Sequence, residues 1–173
     1  PFGTVLLPLI MIVLGGPVFA FAKPVPVYLG NLKHPKRDEV LVSAAGPASN
    51  IALACLAAAL MHAAYGNLYA SMSFAVASQI MNFGATFIVV NLSLAFFNLI
   101  PIPPLDGSKV LFSFIPDESY FKLMRYERYG MILLLVLVST KILGGPLSTA
   151  TSWLFDKLLV FAEFGFRLVT HFV

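Results

Sequence analysis

Long apolar runs, separated by short polar stretches, dominate the pattern of this chain. About 20 apolar residues are needed to cross the hydrocarbon core of a bilayer as a helix. The runs predict five segments, at residues 1–22 (A), 40–64 (B), 85–107 (C), 129–143 (D) and 147–173 (E). Segment E fits either a membrane span or an amphipathic helix in the membrane interface. The pattern predicts one all-α membrane domain over residues 1–173, a bundle of about four to five transmembrane or interfacial helices.

Composition supports a membrane protein over a soluble one. The chain is 59% hydrophobic and 11% charged, with a mean hydropathy of +0.89, whereas soluble domains average about 25% charged residues. The net charge of +3 comes without any basic cluster interleaved with aromatic residues in a polar segment, so nucleic-acid binding is not expected. The expected partner is the lipid bilayer. The sequence specifies no oligomeric state.

The basic residues predict which side of the membrane each loop faces. Eight of the eleven Lys and Arg residues lie in two loops, 23–39 and 107–128. Positively charged loops face the cytoplasm. Two crossings, by segments B and C, would return the chain to the same side, so we expect both loops to be cytoplasmic in an integral protein of the cell (inner) membrane.

Segment B carries a narrow stripe of small residues. Residues spaced by three and four share one face of a helix, and small side chains on that face allow a neighbouring helix to approach closely. The stripe consists of Ser43, Gly46, Asn50, Ala54 and Ala57. Asn50, at its centre, is expected either to hydrogen-bond a neighbouring helix or to lie near an active centre.

The stretch NLIPIPPLDG, Asn98–Gly107, ends segment C and holds the acidic residue Asp106. Its three prolines remove backbone donors and disfavour helix, so residues 100–105 are predicted to be extended, with a helix resuming over 108–115. A charge at membrane depth costs about 2.5–3.5 kcal/mol on insertion scales and marks a functional position. The carboxylate could bind a metal, relay a proton, bind a coupling ion, or merely cap the helix that starts near Ser108.

The chain alone shows no complete catalytic motif. Its histidines are His34, His62 and His171, and no two of them are spaced four apart. A helix-borne His-Glu-x-x-His zinc pair is therefore absent from these 173 residues. The single cysteine, Cys55, lies in an alanine- and leucine-rich run and is expected to be a packing residue.

Several stretches together resemble the site-2 protease family of intramembrane zinc metalloproteases. NLIPIPPLDG resembles the family's NxxPxPxxDG motif, and AAGPASN, residues 44–50, resembles its Gly-Pro-x-x-Asn helix. The run GGPVFAFAKPVPVYLGNLKHPKRDEV resembles the loop that leads into that helix, and the opening PFGTVLLP resembles the segment that follows the family's zinc-binding helix. The likeness extends over about residues 1–130, to a fragment that lacks the His-Glu-x-x-His helix.

The resemblance implies a function and a set of site residues. Asp106 corresponds to the third protein ligand of one zinc ion, whose two histidine ligands are expected upstream of Pro1. Asn98 corresponds to an asparagine that holds the substrate backbone or the developing oxyanion, and Asn50 to the asparagine of the helix packed near the centre. The implied reaction is hydrolysis of a peptide bond in a transmembrane protein substrate, as in regulated intramembrane proteolysis. Lys23–Val27 (KPVPV) is expected to form a short membrane-dipping β-hairpin that pairs with the extended substrate.

Other function classes remain open from the sequence. An ion-coupled transporter would also use a proline-broken helix with one intramembrane carboxylate, although we find no internal repeat. A non-catalytic membrane subunit is the third possibility. Without the histidine pair, the fragment is expected to be inactive on its own.

Overall fold

The architecture was analysed in a computed structural model of the chain, which describes residues 6–13, 33–116, 119 and 127–171. Regular structure within these residues is helical throughout. The described helices are α1 (Leu7–Val13), α2 (Pro35–Ser71), α3 (Phe74–Asn98), α4 (Asp106–Phe112), α5 (Glu127–Ser139) and α6 (Gly144–His171). The chain divides into two compact units, residues 1–35 and 36–173. Within the first unit the described helix is α1, and everything that follows concerns the second.

Two of these helices, α2 and α3, are long and apolar enough to cross a membrane. With 37 and 25 residues, they extend about 55 and 37 Å at 1.5 Å per residue. The prediction of an all-α integral membrane protein is thereby confirmed. Only a two-residue turn separates them, so, if both helices span the bilayer, the start of α2 and the end of α3 lie on the same side.

The helices run further than segments B and C, whose intervening stretch 65–84 had been expected to be a loop. In the structure α2 continues to Ser71 and α3 begins at Phe74. Gly66 does not end α2, because a single glycine within a helix costs only about 1 kcal/mol. The chain turns at Ser73, the N-cap residue of α3, whose backbone is extended.

The core of the second unit lies where α2, α3 and α6 meet. Two alanines of α2, Ala54 and Ala58, pack on Ile88 and Leu92 of α3, and all four are buried. Ala54 belongs to the small-residue stripe of α2, whereas the most extensive helix packing among the described residues joins α3 and α6. Around the four buried residues pack partly buried residues of α2 and α6: Ala57, Met61, Leu154, Phe155, Leu158 and Ala162.

Segments D and E form a strongly bent pair of helices. Residues Ile132–Ser139 and Gly144–Glu163 together have the length and hydropathy of a span but meet at 80°. Between them Lys141 has a φ of 57°, a left-handed conformation that helps to turn the chain. The pair has the geometry of either one broken span or a re-entrant loop, and the interfacial helix expected as the alternative for segment E stays a prediction. The hairpin predicted at Lys23–Val27 lies outside the described residues and stays a prediction.

Candidate functional site

The proline-containing loop after α3 folds into tight turns. The Ile102 amide donates to the Ile100 carbonyl at 2.8 Å, and the Leu105 amide donates to the Ile102 carbonyl at 2.9 Å. The peptide bond between Pro103 and Pro104 is cis. The expectation of an extended segment over residues 100–105 is therefore wrong. The prolines do exclude helix, but the three amides that remain all find carbonyls: those of Ile102 and Leu105 within the loop, and that of Ile100 at Phe97 of α3, at 3.1 Å. An unpaired backbone donor would be costly if buried.

Gly107 brings the start of α4 back against the end of α3. A Cβ atom added to Gly107 would lie 2.1 Å from the carbonyl oxygen of Leu99 and 2.8 Å from that of Ile100. Real Cβ atoms do not approach backbone this closely, so only glycine fits here. Leu99 directly follows Asn98 in the sequence. The loop therefore returns Asp106 to the end of the helix that carries Asn98.

Asp106 is the first residue of α4 and is partly buried. The N-cap residue of α4 is Leu105, with extended backbone and no side-chain cap hydrogen bond. The helix-cap interpretation of Asp106 is therefore not supported, and α4 begins two residues earlier than expected. The hydroxyl of Ser108, which is 1% exposed, instead donates to the Leu105 carbonyl at 2.7 Å.

The carboxylate of Asp106 lies against α2 at Gly46. A Cβ atom added to Gly46 would be 3.5 Å from Oδ2 of Asp106, an ordinary van der Waals distance. Asn50 follows Gly46 by four residues and therefore shares its face of α2. The fold thus brings Asp106 to two places that the sequence singled out: the α2 face with Asn50 and the α3 end with Asn98. Both asparagines are half-buried, and the described part of the chain shows no hydrogen bond joining the three side chains.

Charged residues at the start of α2 contact α4 and the turn that follows it, a feature that the sequence analysis missed. Glu39, 6% exposed, pairs with Lys109 at 3.6 Å between Oε1 and Nζ. The Lys36 ammonium donates to the Ile115 carbonyl. No local signal in the sequence could have revealed the pair, because Glu39 and Lys109 are 70 residues apart. Burial raises the pKa of the Asp106 carboxyl above its usual value, and the positive charge of Lys109 opposes that rise.

The described part of this chain offers one residue that suits a zinc ligand, Asp106. Carboxylate oxygen is an established zinc donor, and catalytic zinc sites use three protein ligands. Asp106 is partly buried, next to a glycine on one side and the end of α3 on the other, which suits a ligand. In the described part of the chain no three His, Cys, Asp or Glu side chains come together as a metal site.

His62 lies well away from Asp106. It lines a cavity of about 360 Å³ together with Tyr65, Glu163 and apolar side chains of α2, α3 and α6. Sixteen residues of α2 separate His62 from Gly46, which is about 24 Å along the helix. This cavity is therefore distinct from the Asp106 site.

A small and a large side chain at Gly46 should have different effects on zinc binding. Gly46→Ala should leave zinc binding by the full-length protein unchanged, because its Cβ fits at 3.5 Å. Gly46→Leu should place a branched chain beside the Asp106 carboxylate and lower zinc affinity at least about tenfold, as displacement of a ligand's neighbours does. Zinc competition with a chromophoric chelator measures both.

The matched control is Gly66→Leu, because Gly66 also lies within α2 and nothing is within 4 Å of an added Cβ there. Equal zinc affinity in Gly46→Leu and Gly66→Leu would contradict the placement of Asp106 against α2.

Comparisons with known proteins identify the family of the chain. The family model described as "Peptidase family M50" matches residues 5–143. The chain is 38% identical over 156 residues to the Bacillus subtilis protein named "Putative zinc metalloprotease YwhC", covering 88% of this chain and 64% of that protein. It is 31% identical over 150 residues to "Putative zinc metalloprotease Rip2" of Mycobacterium tuberculosis, covering 87% of this chain and 54% of the relative. The chain thus spans less than two thirds of these relatives. No solved structure matches it.

Proposed function

The chain belongs to peptidase family M50, the site-2 protease family, and from this premise we propose that the complete protein is an intramembrane zinc metalloprotease. Its substrate would be a membrane-spanning protein, cleaved at a peptide bond within or near the bilayer. The observation that carries the proposal is the position of Asp106. Its carboxylate stands at the break after a helix long enough to span, against the glycine of the Gly-Pro-x-x-Asn stretch.

Asp106 would be the third protein ligand of the zinc ion. A His-Glu-x-x-His helix of the complete protein would supply the other two ligands and the general base. Bound zinc supplies a water of lowered pKa and polarises the carbonyl under attack. The contribution of this chain would be to hold the Asp106 carboxylate in one direction, through the close approach of Gly107 to the end of α3, with Gly46 of α2 beside Oδ2.

Asn98 and Asn50 would act on the substrate. A side-chain amide offers two donors and one acceptor, which suits the peptide groups of an unwound substrate. Asn98, at the end of α3, would donate to the carbonyl under attack, and such a donor strengthens as negative charge develops on that oxygen. Asn50, one turn beyond Gly46, would hold the neighbouring substrate backbone.

The chain is an integral membrane protein, as its two long apolar helices and its family indicate. We place it in the cell (inner) membrane with loops 23–39 and 107–128 on the cytoplasmic side. The two-residue turn between α2 and α3 supports a common side for the two loops, because it puts Glu39 and Lys109 on one side of the membrane. Their ion pair requires the same arrangement. The positive charge of the loops favours the cytoplasmic side.

Removal of metal tests the proposed function. Full-length protein in lipid vesicles should contain one zinc ion per chain and cleave a peptide with a single membrane-spanning segment. Treatment with 1,10-phenanthroline should abolish cleavage, and one equivalent of Zn²⁺, but not Mg²⁺, should restore it, because Mg²⁺ prefers octahedral oxygen ligands. Mass spectrometry of the products measures cleavage. Cleavage that survives complete zinc removal would contradict the proposal.

A further inference from the structure

The buried ion pair between Glu39 and Lys109 lies outside the proposed set of ligand and substrate-binding residues. Glu39 is 6% exposed, and carboxylates are rarely buried to this degree unless they are paired. Its partner Lys109 lies three residues after Asp106, in the same short helix. The pair therefore joins the start of α2 to the helix that carries the proposed zinc ligand.

Three contacts tie α2 to α4 and the residues after it. Along α2 they occur at Lys36, Glu39 and Gly46, in that order. Their partners are Ile115, Lys109 and Asp106, in descending order. The two segments are thus antiparallel where they meet, and the Glu39 contact is the middle one. Besides joining the two segments, the ion pair has a second consequence.

The ion pair with Glu39 determines where the charge of Lys109 lies. Residues three apart on a helix are neighbours on its surface, so the Lys109 ammonium lies in the electrostatic field of the Asp106 carboxylate. An ammonium paired with a carboxylate competes with a metal ion for the same oxygen lone pairs. Within the described residues the ion pair of Lys109 is with Glu39, and none joins it to Asp106.

We propose that Glu39 is a positioning residue for zinc binding, which draws the Lys109 ammonium away from Asp106 and leaves that carboxylate open to the metal. The inference rests on the proposed function, since it requires Asp106 to be a zinc ligand. The inference adds Glu39 of α2, which acts on the proposed zinc ligand Asp106 through the side chain of Lys109. Outer residues of this kind commonly change metal affinity by 10–100-fold.

The test is a zinc-affinity cycle on the full-length protein. Glu39→Gln preserves the size of the side chain and one acceptor oxygen but removes the charge that holds Lys109, so zinc affinity should fall about 10–100-fold. Glu39→Gln combined with Lys109→Met also removes the competing cation, and affinity should return to within about threefold of the wild type, because both partners of a buried pair can be replaced together with little loss. Competition with a chromophoric chelator measures each affinity.

A purely structural role predicts that zinc affinity follows stability in both variants. If the pair only holds α4 in place, the weaker zinc binding of Glu39→Gln should come with a lower melting temperature of its metal-free form, and that parallel would overturn the proposal. A double variant that keeps wild-type stability but binds zinc at least tenfold more weakly would overturn it too. The double variant decides even if Glu39→Gln fails to fold. Thermal unfolding of the metal-free proteins, measured alongside, shows whether affinity changes in parallel with stability, as the structural role requires.

Asp106→Asn separates this inference from the proposed function. If Asp106→Asn loses zinc while Glu39→Gln binds it as the wild type does, Glu39 has no positioning role and Asp106 remains a ligand. If Asp106→Asn itself binds zinc normally, the ligand assignment fails and the inference fails with it.

Discussion

Asp106→Asn should remove zinc from the full-length protein and reduce cleavage of a membrane-spanning substrate to below about 1% of wild type. The substitution replaces an anionic oxygen ligand with a neutral amide of the same shape. Loss of a residue that only orients a metal ligand already lowers metal affinity about 10–100-fold. Loss of the ligand itself should lower it by more than that. Zinc content after gel filtration and product formation in vesicles measure the two effects.

Stability measurements distinguish loss of a ligand from unfolding. Burial raises the pKa of the Asp106 carboxyl in the metal-free protein, which means that the fold disfavours the ionised form. Asparagine removes that charge, so the metal-free variant should melt at the same temperature as metal-free wild type or slightly higher. A large decrease in melting temperature would show that Asp106 is structural.

The matched control is Asp156→Asn, which makes the same change at an exposed position of α6. It should retain both zinc and cleavage. If Asp106→Asn retained zinc and proteolysis, the protease assignment of Asp106 would fail. If the protein instead carried an ion flux that needs Asp106 and no metal, the transporter interpretation would replace it.

The sequence predicted the helical membrane fold because each signal for it is local. Hydropathy over a 20-residue run and the spacing of small residues in α2 depend on neighbours in the chain alone. The helix ends were harder to place. Gly66 and the polar residues around it favoured a loop, whereas in the structure the backbone hydrogen bonds of α2 continue to Ser71. A single glycine is too weak a signal to end a helix.

The sequence singled out Asp106, Asn50 and Asn98 as candidates, but it did not indicate the contacts around them. The spacing of prolines and Asp106 identified the broken helix, and the resemblance to a known family assigned roles to Asn50 and Asn98. The tight turns of residues 100–105 and the pairing of Glu39 with Lys109 depend on contacts between segments far apart in the sequence. No local pattern specifies such contacts. Glu39 ends the basic loop 23–39 in the sequence, whereas in the structure it is 6% exposed and pairs with Lys109 of α4.

Gly107→Ala should disrupt the site without altering any proposed ligand or substrate-binding residue. The added methyl group would lie 2.1 Å from the Leu99 carbonyl oxygen and 2.3 Å from its carbon, both backbone atoms that cannot move aside as a side-chain end can. Overpacking of this kind commonly costs about 1–3 kcal/mol, and a backbone collision places this substitution at or above the upper end. We expect a lower melting temperature in detergent and, because α4 must shift away from α3, at least about tenfold weaker zinc binding.

The control for Gly107→Ala is Gly66→Ala, within the long helix α2, where an added Cβ meets nothing within 4 Å. Replacing a helix-interior glycine by alanine should raise stability by up to about 1 kcal/mol, the opposite sign from Gly107→Ala. Gly130→Ala provides a second comparison, because its methyl group would lie 2.1 Å from the Pro103 carbonyl oxygen, on another part of the same loop. It should also destabilise the protein. If Gly107→Ala melted and bound zinc as the wild type does, the α3 end and the α4 start would not be in contact, and the route by which the fold brings Asp106 to Asn98 would be refuted.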